Sequence, residues 1–104
     1  MGSATETMRH RELTSLTRKA IDDLKEKCLD LHNLVAKVDA AVQKLDSLTD
    51  QMDTTEGEEI ENASKECLAL TEQMHKAGEI VDIKRATLKS AVKSLTDFYS
   101  TIAE

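Results

Sequence analysis

The chain has no proline, no tryptophan, three glycines and two aromatic residues in 104 positions. Without proline, and with so little glycine, it has few of the residues that punctuate hairpins and short strands. Its aromatic side chains, Phe98 and Tyr99, are too few to line a ligand pocket or to stack single-stranded nucleic acid. These absences argue against a sheet fold and favour long helices.

An excess of positive charge and long apolar runs are also missing. The chain has 14 basic and 20 acidic residues, for a net charge of −6, whereas nucleic-acid binding needs clustered Lys and Arg. No apolar stretch approaches the length of a membrane span, and the N-terminus lacks the basic and apolar segments of a secretory leader. We therefore expect a soluble, cytoplasmic protein that binds no nucleic acid and does not insert into a membrane.

The sequence does have a heptad repeat, with positions a to g, in which a and d side chains form the seam between paired helices. In the first half of the chain, nine of ten consecutive a and d positions are apolar, and the exception is Lys27. The a positions are Leu24, Leu31, Val38, Leu45 and Met52, and the d positions are Ala20, Lys27, Leu34, Ala41 and Leu48. This half of the chain is therefore predicted to form one long helix.

The second half carries a more regular repeat. All seven a positions are apolar: Ile60, Cys67, Met74, Val81, Leu88, Leu95 and Ile102. The d positions are Ala63, Leu70, Ala77, Lys84, Ala91 and Phe98. The repeat passes Gly78 without a change of phase, although glycine costs about 1 kcal/mol inside a helix. We expect one uninterrupted second helix, with a bend or a short third helix near Gly78 as the alternative.

Together the two arrays predict an all-α fold, a long antiparallel helical hairpin of the coiled-coil type. Residues 1–104 form one domain, with a helix over 5–51, a turn at 52–55 and a helix over 56–103. Thr55 and Glu58 fit a capping box at the second helix, and so short a turn forces the helices antiparallel. The turn centres near Thr54, or the register is shifted by half a heptad.

Both helices carry apolar residues outside the seam. A lone hairpin would leave them in water, and exposed apolar surface of this kind marks protein interfaces. We expect a four-helix bundle completed by a second copy, as a homodimer, or by the helices of a different subunit, as a hetero-oligomer. Lys27 and Lys84 then either fix the register or extend to solvent. The predicted interface residues are Ile21, Cys28, Val35 and Val42 at e positions of the first helix, and Ile80, Ile83, Val92 and Tyr99 in the second.

Charge is unevenly distributed along the chain. Seven acidic residues and no basic ones lie between positions 46 and 61, at the predicted turn. They either dock a basic partner or simply cap the second helix and keep the turn soluble. This acidic tip comprises Asp46, Asp50, Asp53, Glu56, Glu58, Glu59 and Glu61. The opposite end carries Arg9, Arg11, Arg18, Lys19, Lys89 and Lys93.

The residues that could support chemistry are scattered. In the hairpin centred at Thr54, Cys28 and Cys67 lie about 20 Å apart, too far for a disulfide or a shared metal. Glu72 and His75 form one Glu-x-x-His motif, half of what a di-iron bundle needs. No histidine is placed to activate a nucleophile. We therefore expect no catalytic, cofactor-binding or metal-binding residues and no small-molecule substrate, so the chain is not predicted to be an enzyme.

The predicted function is that of a non-enzymatic coiled-coil assembly subunit, a scaffold or adaptor that mediates protein–protein interaction in a larger intracellular complex. The length and heptad content are similar to those of small helical subunits of tethering, cytoskeletal or kinetochore assemblies, which is an analogy of fold only. The alternative is a small secretion-associated helical hairpin or a chaperone-like binding module. The chain lacks the Trp-x-Gly turn found in one class of secreted hairpins.

Overall fold

A computed structural model describes residues 4–51 and 56–103. Helix α1 spans Ala4–Asp50 and helix α2 spans Gly57–Ala103, each within one residue of its predicted bounds. The predicted turn at 52–55 lies outside the described residues. Helix α2 continues through Gly78 without interruption, which confirms a single second helix. The fold class, an antiparallel pair of long helices, is also confirmed.

Helix α2 begins after Glu56. The carbonyl oxygen of Glu56 accepts hydrogen bonds from the backbone N–H groups of Glu59 and Ile60, at 3.1 and 3.4 Å. Glu56 is therefore the N-cap residue, and Glu58 and Glu59 fill the first turn, where the helix dipole favours negative charge. The predicted capping box put the N-cap at Thr55, one residue before the observed one, and Thr55 itself lies outside the described residues.

The helices contribute to two compact units. Unit 1 contains α1 up to Cys28 and α2 from Ile80 onward. Within unit 1, the Tyr99 hydroxyl and the His10 ring Nδ1 are hydrogen-bonded at 3.0 Å, while Lys84 Nζ lies 3.9 Å from Asp23 Oδ2. Asp23, which is later in α1 than His10, therefore contacts Lys84, which is earlier in α2 than Tyr99. The two segments thus run antiparallel.

Unit 2 contains α1 from Leu29 onward and α2 up to Glu79. Lys44 Nζ lies 3.8 Å from Glu66 Oε2, and Leu48 shares a shallow surface groove with Asn62. The two helical segments of this unit also run antiparallel. The prediction of one domain over the whole chain is not tested by these units and stays a prediction.

The cross-helix contacts choose between the two registers left open by the sequence. His10 with Tyr99, Asp23 with Lys84, and Lys44 with Glu66 each lie, within two residues, at equal distances from position 54. A half-heptad shift would displace every one of these pairs. Each unit therefore has the register centred at position 54.

The predicted seam is the least exposed part of each unit. In unit 1 its buried residues are Leu13, Ala20 and Val81, and in unit 2 they are Ala41 and Ala63. The other seam positions in the described residues are half-buried, apart from Ile102. Met52 lies outside the described residues. Three of the five buried residues are alanines, so each unit has little apolar volume of its own.

Ile102 was predicted in the seam, and that prediction is wrong, because its side chain is half exposed. The register places it level with Glu6, which lines the same groove. The polar Glu6 opposite the last a position leaves Ile102 less covered than the other seam residues that the structure describes.

The seam lysines reach carboxylates at the surface. Lys84 lies 3.9 Å from Asp23 across the two helices, and Lys27 Nζ lies 4.0 Å from Glu26 Oε1. Each lysine side chain retains about a third of its exposure, at 34%. Both therefore bury their methylene stems along the seam and keep their charge near water, as the solvent alternative predicts.

Candidate protein-binding surfaces

The seam of each unit is bordered by two flanks, formed by the e positions and the g positions of both helices. In unit 1, the e residues Thr7 and Tyr99 line one groove, and the g residues Leu16 and Thr87 line another. In unit 2, Lys44 and Glu66, both at g, form an ion pair across the helices. The e positions therefore share one flank of each unit and the g positions share the other.

The e flank of unit 1 collects four of the predicted interface residues. Ile21, Val92 and Tyr99 retain 38%, 44% and 47% of their exposure, and the Cys28 thiol is free and exposed. They are e positions of the two antiparallel helices. Unit 1 thus presents four exposed apolar side chains on its e flank, together with the charged Arg85.

The e flank of unit 2 contains the two predicted valines. Val35 and Val42, seven residues apart on α1, are 47% and 48% exposed. The e positions of α2 in this unit include Ser64 and Thr71, whose side chains are smaller than the two valines. On this flank, therefore, the two exposed valines of α1 lie on the same side as the smaller Ser64 and Thr71 of α2.

Two predicted interface residues lie elsewhere. Ile80 and Ile83 are exposed, but they occupy g and c positions of α2, away from the e flank. The sequence analysis assigned Ile80, Ile83, Val92 and Tyr99 to the interface together. In the structure, Val92 and Tyr99 lie on the e flank, whereas Ile80 and Ile83 lie outside it. The sequence analysis also missed four exposed apolar side chains at b, f and g positions, which sit singly among polar neighbours and leave no periodic signal. They are Met8, Leu16, Leu29 and Leu68.

An aromatic cluster at the chain-end side of unit 1 was not predicted as a cluster. The ring centroids of His10 and Tyr99 lie 5.5 Å apart, and those of Phe98 and Tyr99 lie 5.9 Å apart, both with edge-to-face geometry. With Ile102 the three rings border an open groove of about 410 Å³. The heptad placed Phe98 beside Tyr99, and the register places His10 opposite them.

The acidic residues of the tip are exposed wherever the structure describes them. Asp46, Asp50, Glu56, Glu58, Glu59 and Glu61 all face solvent, and Asp53 lies outside the described residues. Glu61 pairs with Lys65 at 3.2 Å, one turn along α2. Such an exposed pair contributes at most about 1 kcal/mol. The tip therefore keeps most of its negative charge available to a partner.

The cysteines and histidines do not converge. Cys28 and Cys67 are both free thiols. His75 Nε2 contacts Glu79 Oε1 at 3.1 Å, and Glu72 of the single Glu-x-x-His motif contacts Lys76 instead. Among the residues that the structure describes, no three His, Cys, Asp or Glu side chains gather as a metal site would require.

Neither of the two described helices contains a stretch long and apolar enough to cross a bilayer. The chain matches no protein-family model, no curated protein and no solved structure.

Proposed function

We propose that the chain is a non-enzymatic assembly subunit or adaptor that binds another protein by helix packing on its e flanks. The observation that supports this most directly is the exposure of Val35 and Val42, two β-branched side chains at heptad spacing beside small residues. Because each valine is already about half-buried, a partner that covers the rest contributes about 0.7–1.5 kcal/mol per valine. Periodic apolar exposure of this kind is typical of a surface that another helix covers.

The weak seam supports the same proposal. The described part of unit 2 buries only two side chains, Ala41 and Ala63, and the described part of unit 1 buries only three. Thin helical pairs gain little from such cores, and chains of this size commonly add stability by association. A further layer of helices over the e flanks would turn half-buried seam residues into core residues of a bundle.

The test is a pair of double variants. Val35→Glu with Val42→Glu places two charges on the e flank of unit 2, and we expect the assembly to dissociate while helicity is kept. Ala36→Glu with Gln43→Glu is the matched control, because it adds the same charge at exposed f positions one residue further along α1. The measurements are native mass by light scattering and helicity by circular dichroism.

The proposal predicts a loss of mass for the valine variant alone. A valine variant that keeps the native mass would contradict it. If the purified wild-type chain is already a monomer, both double variants are compared as baits in a pulldown. Capture that is lost only with the valine variant supports a hetero-oligomer, and no association of either kind overturns the proposal.

A further inference from the structure

The b positions of α1 border its e positions and carry a pattern of charge. Unit 1 has Arg11, Arg18 and Lys25 at b, whereas unit 2 has Asp39 and Asp46. All five are exposed. Within the described part of the chain, none of these three cations lies in an ion pair. Basic b residues thus accompany the e flank in unit 1 and acidic ones accompany it in unit 2.

Resting on the proposed function, we propose that the partner on the e flank is a second copy of this chain, packed so that unit 1 of each copy covers unit 2 of the other. The two α1 helices then lie antiparallel, related by a two-fold axis near Cys28. In this arrangement, Arg18 faces Asp39 of the second copy and Arg11 faces Asp46 of the second copy. Each ion pair occurs twice because the interface is symmetric.

The spacing along α1 makes this pairing geometrically consistent. Arg11 and Arg18 precede Cys28 by 17 and 10 residues, while Asp39 and Asp46 follow it by 11 and 18. The mismatch is one residue, about 1.5 Å along a helix, which long side chains easily bridge.

The apolar residues obey the same symmetry. Ile21 and Val35 lie seven residues on either side of Cys28, and Thr14 and Val42 lie fourteen on either side. Ile21 therefore meets Val35 of the second copy, and Thr14 meets Val42 of the second copy. The Thr14 hydroxyl oxygen is already shielded from solvent without a hydrogen-bond partner in the described chain, so its methyl group is what this contact uses.

Side-chain size along α2 fits the same axis. At its e positions, unit 2 has Ser64 and Thr71, while unit 1 has Arg85 and Val92. The register places the axis near Ile80 of α2, so antiparallel self-packing sets Val92 between Ser64 and Thr71 of the second copy, and Arg85 between Thr71 and Gly78 of the second copy. Each large side chain thus lies between small ones, which lets the two copies approach closely.

Net charge distinguishes this arrangement from a parallel one. Unit 1 contains ten basic and eight acidic residues, for a net charge of +2, whereas unit 2 contains four basic and twelve acidic residues, for −8. A parallel dimer would place two units of −8 against each other and would set Ile21 against Arg85 of the second copy. Opposite net charges meet only when unit 1 covers unit 2.

The first test reverses the charges in three variants. Asp39→Lys with Asp46→Lys, or Arg11→Glu with Arg18→Glu, replaces attraction by repulsion at four symmetric contacts. Each double variant is expected to raise the dimer Kd by about tenfold or more. The quadruple variant keeps the native net charge of −6 and restores opposite charges at every contact, so its Kd should return toward that of the wild-type chain.

The measurement is sedimentation equilibrium over a range of concentrations, with circular dichroism as a check that each variant stays helical. A wild-type chain that stays at 11.5 kDa overturns the second-copy proposal. A dimer whose Kd rises further in the quadruple variant, or is unchanged in all three variants, overturns the antiparallel arrangement. Variant-sensitive capture of another protein by a monomeric chain would still support the proposed function, so the two failures are distinguishable.

A second test uses the native cysteines. Copper-phenanthroline is added to a Cys67→Ser variant, which leaves Cys28 near the proposed axis, and to a Cys28→Ser variant, which leaves Cys67 in the half-buried seam. The first is expected to form a disulfide-linked dimer rapidly and the second only slowly. Equal rates for the two variants, or a faster reaction of Cys67, would contradict an axis at Cys28.

Discussion

Leu13 is the bulkiest of the buried side chains in the described part of the molecule, with 3% of its surface exposed. Two seam residues of α2, Ala91 and Phe98, border the same surface grooves as Leu13. We expect Leu13→Ala to lower the free energy of unfolding by about 2–4 kcal/mol, from lost apolar burial and the cavity that remains. Urea unfolding followed by circular dichroism measures the change.

Leu29→Ala is the matched control for this prediction, because Leu29 lies at an f position of α1 and is 59% exposed. Its loss should change the free energy of unfolding by less than about 0.5 kcal/mol. Equal losses for the two leucines would mean that the heptad seam is not where unit 1 gains its stability.

Residue-scale exposure was predictable where it followed the heptad. Val35 and Val42 were predicted at the surface because their e positions fall just outside the a and d seam, and they are exposed. His10 occupies an a position with no apolar character, so sequence reasoning did not assign it a contact. Its hydrogen bond to Tyr99 depends on the register, which periodicity alone does not determine.

At the scale of the helix, Gly78 has the lowest helix propensity in the interior of α2. It is half-buried, its φ is not positive, and a Cβ added there would meet nothing within 4 Å. Alanine restricts the unfolded chain more than glycine does, so we expect Gly78→Ala to stabilise the protein by about 1 kcal/mol. Thermal unfolding followed by circular dichroism measures the effect.

The reverse change provides the control. Ala86 is exposed at an f position of the same helix, and Ala86→Gly should lower stability by about the same amount. A destabilising Gly78→Ala would show that the space beside Gly78, an e position, is occupied by a partner helix.

Helix existence was predictable because the repeat extends over many heptads, and the predicted bounds of each helix lie within one residue of the observed ones. One second helix was predicted because the repeat keeps its phase across Gly78. The low helix propensity of glycine alone would have predicted two helices there. The alignment of the two helices was not predictable, because apolar residues fill nearly every position of both seams and a half-heptad slide offers similar pairs. Specific polar contacts such as Asp23 with Lys84 select the alignment.

At the scale of the whole molecule, the apolar pattern and the charge distribution both favour the proposed self-association. Apolar e positions lie in both units, while net charge is +2 in unit 1 and −8 in unit 2. The total of −6 conceals this contrast, since it results from nearly all of the excess acid lying in unit 2. A chain with these properties gains both apolar burial and charge neutralisation when each unit meets its opposite in another copy.

The scarcity of glycine, proline and aromatic residues is consistent with two long helices that have little bulk in their seam. Helices with alanine-rich seams can approach closely but bury little. In the proposed assembly the second copy supplies the missing apolar volume, at the periodic e residues.

Sedimentation equilibrium of the wild-type chain, beside the Val35→Glu with Val42→Glu variant, tests this account most directly. The account predicts twice the chain mass of 11.5 kDa for the wild type and the monomer mass for the variant, with helicity retained in both. A wild-type chain at 11.5 kDa, or a variant that keeps the dimer mass, would contradict it.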